Sequence, residues 1–154
     1  MEKFLENLQE AERILHNSDH LIYVSFPLIK DKNLLIKTIL QTKKAVALCI
    51  NAMLQYEYLY KRIKLYSDPK SNMSTFKEKV ATRYSITPQE IQVIIDLFDL
   101  TEKHKKSSME FVRKEKIVII SGEMELKSVD IQKTKEFLKI AQAVLEKIKT
   151  KILR

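Results

Sequence analysis

The sequence predicts an all-α fold: a bundle of four or five helices with one small β-hairpin near 111–127, in a single domain spanning 1–154. Three observations predict it. Glycine occurs once and proline three times among 154 residues, too few for the many tight turns of a β-sandwich or barrel. Hydrophobic residues make up 45% and charged residues 31%, enough apolar surface for a core and far from disordered or low-complexity composition. Apolar residues also recur at three- and four-residue spacing through most of the chain, the period of a helix with one buried face.

Residues 2–16 read as an amphipathic helix, with Phe4, Leu5, Leu8, Ala11 and Leu15 on one stripe and Glu2, Glu6, Glu10 and Glu12 elsewhere. Asn17-Ser18-Asp19 is expected to break it. A short apolar helix comes next over 20–26, and Pro27 is expected to kink or stop it. Asn33 is placed to cap a long helix over 34–66. Its middle, 45–54, is apolar on nearly every side, which predicts a central, buried rod. Asn51 within that rod is expected to be a buried amide that fixes helix register.

The stretch 67–72 reads as a loop, succeeded by a short helix from Ser74 to about 84. Thr87-Pro88-Gln89-Glu90 combines a capping hydroxyl, proline at the first helical position and glutamate at the third, which predicts a capped helix to about 105. The β-branched run 117–120 and the alternation around Met124 and Leu126, with Gly122 between them, predict the hairpin. Ser128 is expected to cap the last helix, whose stripe runs from Ile131 to Ile152.

Several function classes are excluded or disfavoured. One cysteine, Cys49, permits no internal disulfide and no cysteine zinc cluster, and its apolar surroundings read as core rather than as a reactive thiol. No metal or cofactor is expected. His16 and His20 have the i, i+4 spacing of two ligands, but the predicted break lies between them and no third ligand is evident. Catalytic Ser-His-Asp order, paired carboxylates, a Cys-His pair and a Gly-rich nucleotide loop do not stand out. The N-terminal residues lack an apolar leader and the longest near-apolar stretch is too short to span a bilayer, so no membrane association is expected and a cytoplasmic protein is.

The formal charge is +8. Residues 1–60 carry seven cations and seven acids, so the surplus lies wholly beyond them. A basic surplus suits a nucleic-acid partner; Lys- and Ile-rich composition also arises without one. Two clusters are the candidate phosphate contacts. Tyr58, Lys61, Arg62 and Lys64 interleave aromatic rings with cations, as single-stranded nucleic acid requires. Lys103, Lys105, Lys106, Arg113, Lys114 and Lys116 flank the entry to the hairpin. Glu57 and Lys61 are expected to form an ordinary i, i+4 pair.

Arg13 and His20 enclose six residues in Arg13-Ile-Leu-His-Asn-Ser-Asp-His20. With this spacing and a compact helical bundle of basic surface, the chain resembles the HEPN superfamily, many of whose members are ribonucleases with Arg and His four to six residues apart. The resemblance implies a metal-independent ribonuclease, Arg13 stabilising charge on the phosphate and His20 moving the ribose 2′-OH proton. In that family the motif sits on a late helix, whereas here it closes the first. The sequence thus leads to a non-enzymatic binding module for RNA or DNA. A HEPN-like ribonuclease is one alternative. A protein-interaction or assembly subunit, homodimeric or with another protein, is the other.

Overall fold

The computed structural model describes residues 2–106, 109–113, 116–120 and 126–153, with side chains described for 2–103 and 130–153. The bundle is built from α1 (Lys3–His20), α2 (Phe26–Ile29), α3 (Asn33–Leu59), α4 (Pro69–Thr75), α5 (Pro88–Lys106) and α6 (Ile131–Ile152). Helix α3 is the rod of the bundle: α1, α5 and α6 all pack on it, as does the wide turn Phe76–Val80.

The first helix does not break at 17–19. Ser18 is buried and donates its hydroxyl to the Ile14 carbonyl (2.9 Å), so the residue expected to interrupt the helix is satisfied inside it. It also contacts Gln41 across on α3 (3.2 Å). The chain then passes through one π-helical turn, Leu21–Ser25, before α2. Pro27 explains the widening. It has no N–H for the Tyr23 carbonyl and its ring would crowd that group, and an i→i+5 turn relieves both.

Helix α3 departs from the expected rod in two ways. It is not buried all round: Lys37, Lys44, Asn51 and Tyr58, seven residues apart, form one solvent-facing line. Asn51 is therefore exposed and fixes no register. The opposite faces carry Leu35, Ile39, Val46, Ile50 and Met53, all buried. The helix also ends at Leu59 rather than at 66. Lys61 adopts φ 59°, its N–H bonds the Tyr58 carbonyl (2.9 Å), and the Arg62 N–H bonds the Glu57 carbonyl (3.0 Å). This is a Schellman ending. Ser85 closes the 3-10 turn Ala81–Tyr84 the same way, at φ 59°, with Ile86 N–H on the Ala81 carbonyl (3.0 Å). Lys30 ends α2 at φ 57°. Glycine normally takes these positions; here lysine and serine do, at about 1–2 kcal/mol each relative to right-handed backbone.

The expected loop at 67–72 is in part helix. Asp68 accepts from the Lys70 and Ser71 N–H groups (both 3.2 Å) and Pro69 takes the first helical position, so α4 starts there and runs on through Phe76–Val80 and Ala81–Tyr84. The capping box at α5 forms as its sequence predicts, with Glu90 N–H on Thr87 Oγ1 (3.1 Å) and Thr87 N–H on Glu90 Oε1 (2.9 Å). Asp130, not Ser128, caps α6, through the Lys133 N–H (2.8 Å). Asn33 does not cap α3; its own N–H is held by Asp31 Oδ1 (3.0 Å).

Between α5 and α6 the backbone forms a three-stranded antiparallel sheet in the order β1 (Met109–Arg113), β2 (Lys116–Ile120), β3 (Leu126–Val129). The sequence expects a two-stranded hairpin over 111–127. Met109 pairs with Ile120 and Ile117 with Val129. Gly122 lies outside the described residues.

Glu90 does more than cap. Its carboxylate also accepts from the Lys147 ammonium, which joins α5 to α6. Burial resists its ionisation, but Lys147 and the Thr87 N–H outweigh burial and hold the carboxyl below its ordinary range. A depressed folded-state pKa stabilises the fold above the unfolded pKa, and that gain is lost as pH falls through the folded value. Glu90→Gln should therefore be less stable than the wild type at pH 7. The gap should close below about pH 4, near the ordinary carboxylate value. Denaturant titration at both pH values checks this; a gap of equal size at both would refute it.

Candidate nucleic-acid interface

Among the described residues, the C-terminal end of α3 and the chain that leaves it carry the largest concentration of exposed aromatic rings. Tyr58, Tyr60 and Tyr66 are 54%, 55% and 49% exposed. Lys61 and Lys64 beside them are exposed as well. Local structure puts them there. The Schellman turn at Lys61 reverses the chain, and Ile63 packs against the core and anchors the segment beyond the turn. The Asn72 side chain then grips Tyr66, accepting from its N–H (2.9 Å) and donating to its carbonyl (2.7 Å). A groove of about 420 Å³ opens alongside, lined by Lys3, Phe4, Tyr58, Leu59, Lys61 and Ile63 among others.

Behind this surface stands a charged cluster that sequence reasoning missed. Glu57 is not paired with Lys61. Its side chain is 1% exposed, and its two carboxylate oxygens take separate arginines: Arg62 Nε on Oε2 and Arg83 Nε on Oε1, the latter at 3.1 Å. The Arg62 guanidinium also lies over the rings of Tyr56 and Tyr60, 5.7 and 5.0 Å from their centroids. Tyr56 meets Phe4 edge-on at 5.2 Å. The Tyr84 hydroxyl is buried and makes no hydrogen bond of ordinary geometry. Its burial, and next the Glu57 charge, push the phenol well above its usual range, so it stays protonated. A buried hydroxyl without a partner costs about 1–3 kcal/mol. The one available signal was that Glu57 is the only acidic residue between Asp31 and Asp68.

Of the first predicted cluster, the structure brings Tyr58, Lys61 and Lys64 to one exposed end of the bundle. Arg62 is there too, but committed to Glu57 and to two rings. Of the second cluster, Lys103, Lys105 and Lys106 lie in the last turns of α5, and Arg113 and Lys116 are register partners across β1 and β2. Lys114 and the side chains of the others, Lys103 excepted, lie outside what the structure describes.

Arg13 and His20 both lie exposed on α1, seven residues apart, which is about 10 Å along a helix axis. Both contacts of the Arg13 guanidinium go to Glu10 on its own helix. His16 and His20 do share one uninterrupted helix, contrary to the expected break. Among the described residues, no three His, Cys, Asp or Glu side chains gather as a metal site. Cys49 is fully buried, and burial pushes its thiol up to about 12, which leaves negligible thiolate at neutral pH. Among the described residues, no helix is long and apolar enough to cross a membrane. Comparison of the chain with protein-family models, curated proteins and solved structures finds no match in any of the three.

Proposed function

We propose that the protein is a non-catalytic module that binds single-stranded nucleic acid at the tyrosine-rich end of α3. The observation that carries this reading is the alternation of half-exposed rings (Tyr58, Tyr60, Tyr66) with exposed ammonium groups (Lys61, Lys64) beside an open groove. Bases stack on the rings whatever their sequence, and the lysines neutralise backbone phosphates. Tyr58 is the key platform. It has no ring or cation partner among the described residues, and it sits at the groove's edge.

Fluorescence anisotropy with labelled oligo(U) and oligo(dT) tests this. Affinity should fall steeply between about 50 and 200 mM salt as counterions cease to drive binding. Tyr58→Ala should weaken binding roughly 5- to 100-fold, the worth of one stacked base, and leave the fold intact. No binding at the lower salt, or equal binding by Tyr58→Ala, would overturn the reading. The ribonuclease alternative gains no support from the surroundings of Arg13, whose hydrogen bonds among the described residues go to Glu10.

A further inference from the structure

We infer that Arg62 and Arg83, clamped on Glu57, form a preorganised receptor for a phosphate group. The inference rests in part on the nucleic-acid reading, since it assigns the phosphate subsite at the same end of the bundle. Each guanidinium is fixed along one edge. Arg62 Nε and Arg83 Nε occupy the two oxygens of one carboxylate, so both guanidiniums are tied to the same anchor. Arg62 is gripped on its face as well, by Tyr56 and Tyr60. The terminal Nη amines of both arginines have no protein hydrogen-bond partner among the described residues, and the side chains are 34% and 44% exposed.

The charge favours an anion. Two guanidiniums against one carboxylate leave the cluster at +1, and the carboxylate is buried on the inner side. Paired forks of this kind match the oxygens of a phosphate better than point charges do. Because folding has already ordered them, little side-chain freedom remains to be lost on binding. The Tyr84 hydroxyl is buried on the Glu57 side of the cluster and makes no hydrogen bond of ordinary geometry. Arg83, Tyr84 and Ser85 also line a second groove of about 390 Å³ with Glu146, Lys147 and Lys151; Lys147 is held by Glu90 and the Ser85 carbonyl, so Lys151 is the further cation on the Arg83 side of the clamp. A backbone phosphodiester and a free phosphomonoester present the same oxygens to this clamp.

Two kinds of ligand separate those sources: labelled oligo(U), monitored by anisotropy, and free phosphates (inorganic phosphate and a nucleoside monophosphate), monitored by calorimetry. The variants are Arg83→Lys, which keeps charge but loses the fork, and Tyr84→Phe, which removes only the hydroxyl; circular dichroism verifies that each is folded. Arg83→Lys should weaken phosphate-group binding roughly 10- to 100-fold, the worth of charge-assisted hydrogen bonds lost from one fork. Tyr84→Phe should weaken it less. Loss with oligo(U) identifies the backbone as the source; monophosphate binding that Arg83→Lys loses, with no oligo(U) binding by the wild type, identifies a free phosphomonoester and overturns the nucleic-acid reading while leaving the clamp standing. Wild-type binding that Arg83→Lys and Tyr84→Phe both leave unchanged overturns the clamp and spares the nucleic-acid reading. Failure of the wild type to bind either ligand overturns both.

Discussion

Replacing Arg62 and Arg83 together by methionine should destabilise the protein by about 3–5 kcal/mol, and adding Glu57→Leu should restore most of that loss. The effect originates in Glu57, whose side chain is 1% exposed. Methionine keeps the bulk of each arginine and keeps water out, so the double variant leaves a carboxylate buried with no partner. Removing the carboxylate as well turns the site into an apolar one of similar volume, which is often as stable as a buried ion pair. The triple variant should still fall somewhat below the wild type, because Arg62 also sits over Tyr56 and Tyr60 and such contacts contribute about 0.5–1 kcal/mol each. Urea denaturation of the three proteins checks this. If the double variant lay within about 1 kcal/mol of the wild type, below the range for a broken buried pair, Glu57 would not be the buried anchor described.

Phe76→Ala should cost about 3–5 kcal/mol, the range for truncating a buried phenylalanine. Phe76 is 0% exposed and opens the wide turn Phe76–Val80, which packs directly on α3. The segment is short and irregular, so its place in the fold rests on that ring and on Val80, Ala81 and Tyr84, all buried. Leu28→Ala is the matched control. Leu28 is 81% exposed, and its truncation should change stability by less than about 0.5 kcal/mol. Thermal unfolding resolves the two readily, since each kcal/mol moves the midpoint by roughly 2–4 °C at this chain length. Equal midpoints would mean the 69–84 segment is not part of the core.

What was legible in the sequence was local chemistry. Thr87 and Glu90 satisfy each other within one turn, so their box could be read from four letters. The apolar stripes of α1 and α6 likewise needed only the helical period. What was misread depended on backbone closure and on partners that periodicity does not record, some of them far along the chain. Ile63 keeps helical spacing with Leu59 past the true end of α3, so periodicity alone extended the rod to 66. The helix stops because the Arg62 N–H closes on the Glu57 carbonyl while its side chain closes on the same residue's carboxylate. Arg83, 26 residues on, completes that site. Asn17-Ser18-Asp19 looked like a break because such side chains compete with backbone bonds. Ser18 instead finds Ile14 within the helix and Gln41 outside it. Asn51 looked buried because its neighbours are apolar, yet it falls on the line of Lys37, Lys44 and Tyr58 that faces water.

The exposed aromatic end of α3 was half legible. Tyrosines alternating with lysines over 56–66 mark an aromatic, basic segment whatever its conformation. Which rings stay exposed is settled by tertiary packing: Tyr56 turns in against Phe4 while Tyr58, Tyr60 and Tyr66 do not.

The most direct measurement is the ring spectrum of the tyrosines, observed by two-dimensional NMR while unlabelled oligo(U) is added at low salt. Shifts should concentrate on the Tyr58, Tyr60 and Tyr66 rings, with the buried Tyr84 moving less and Tyr23, on the π-helical turn beyond the first helix, unmoved. Shifts centred on Tyr23, or rings at the end of α3 that stay still while the oligonucleotide binds, would contradict a stacking surface there.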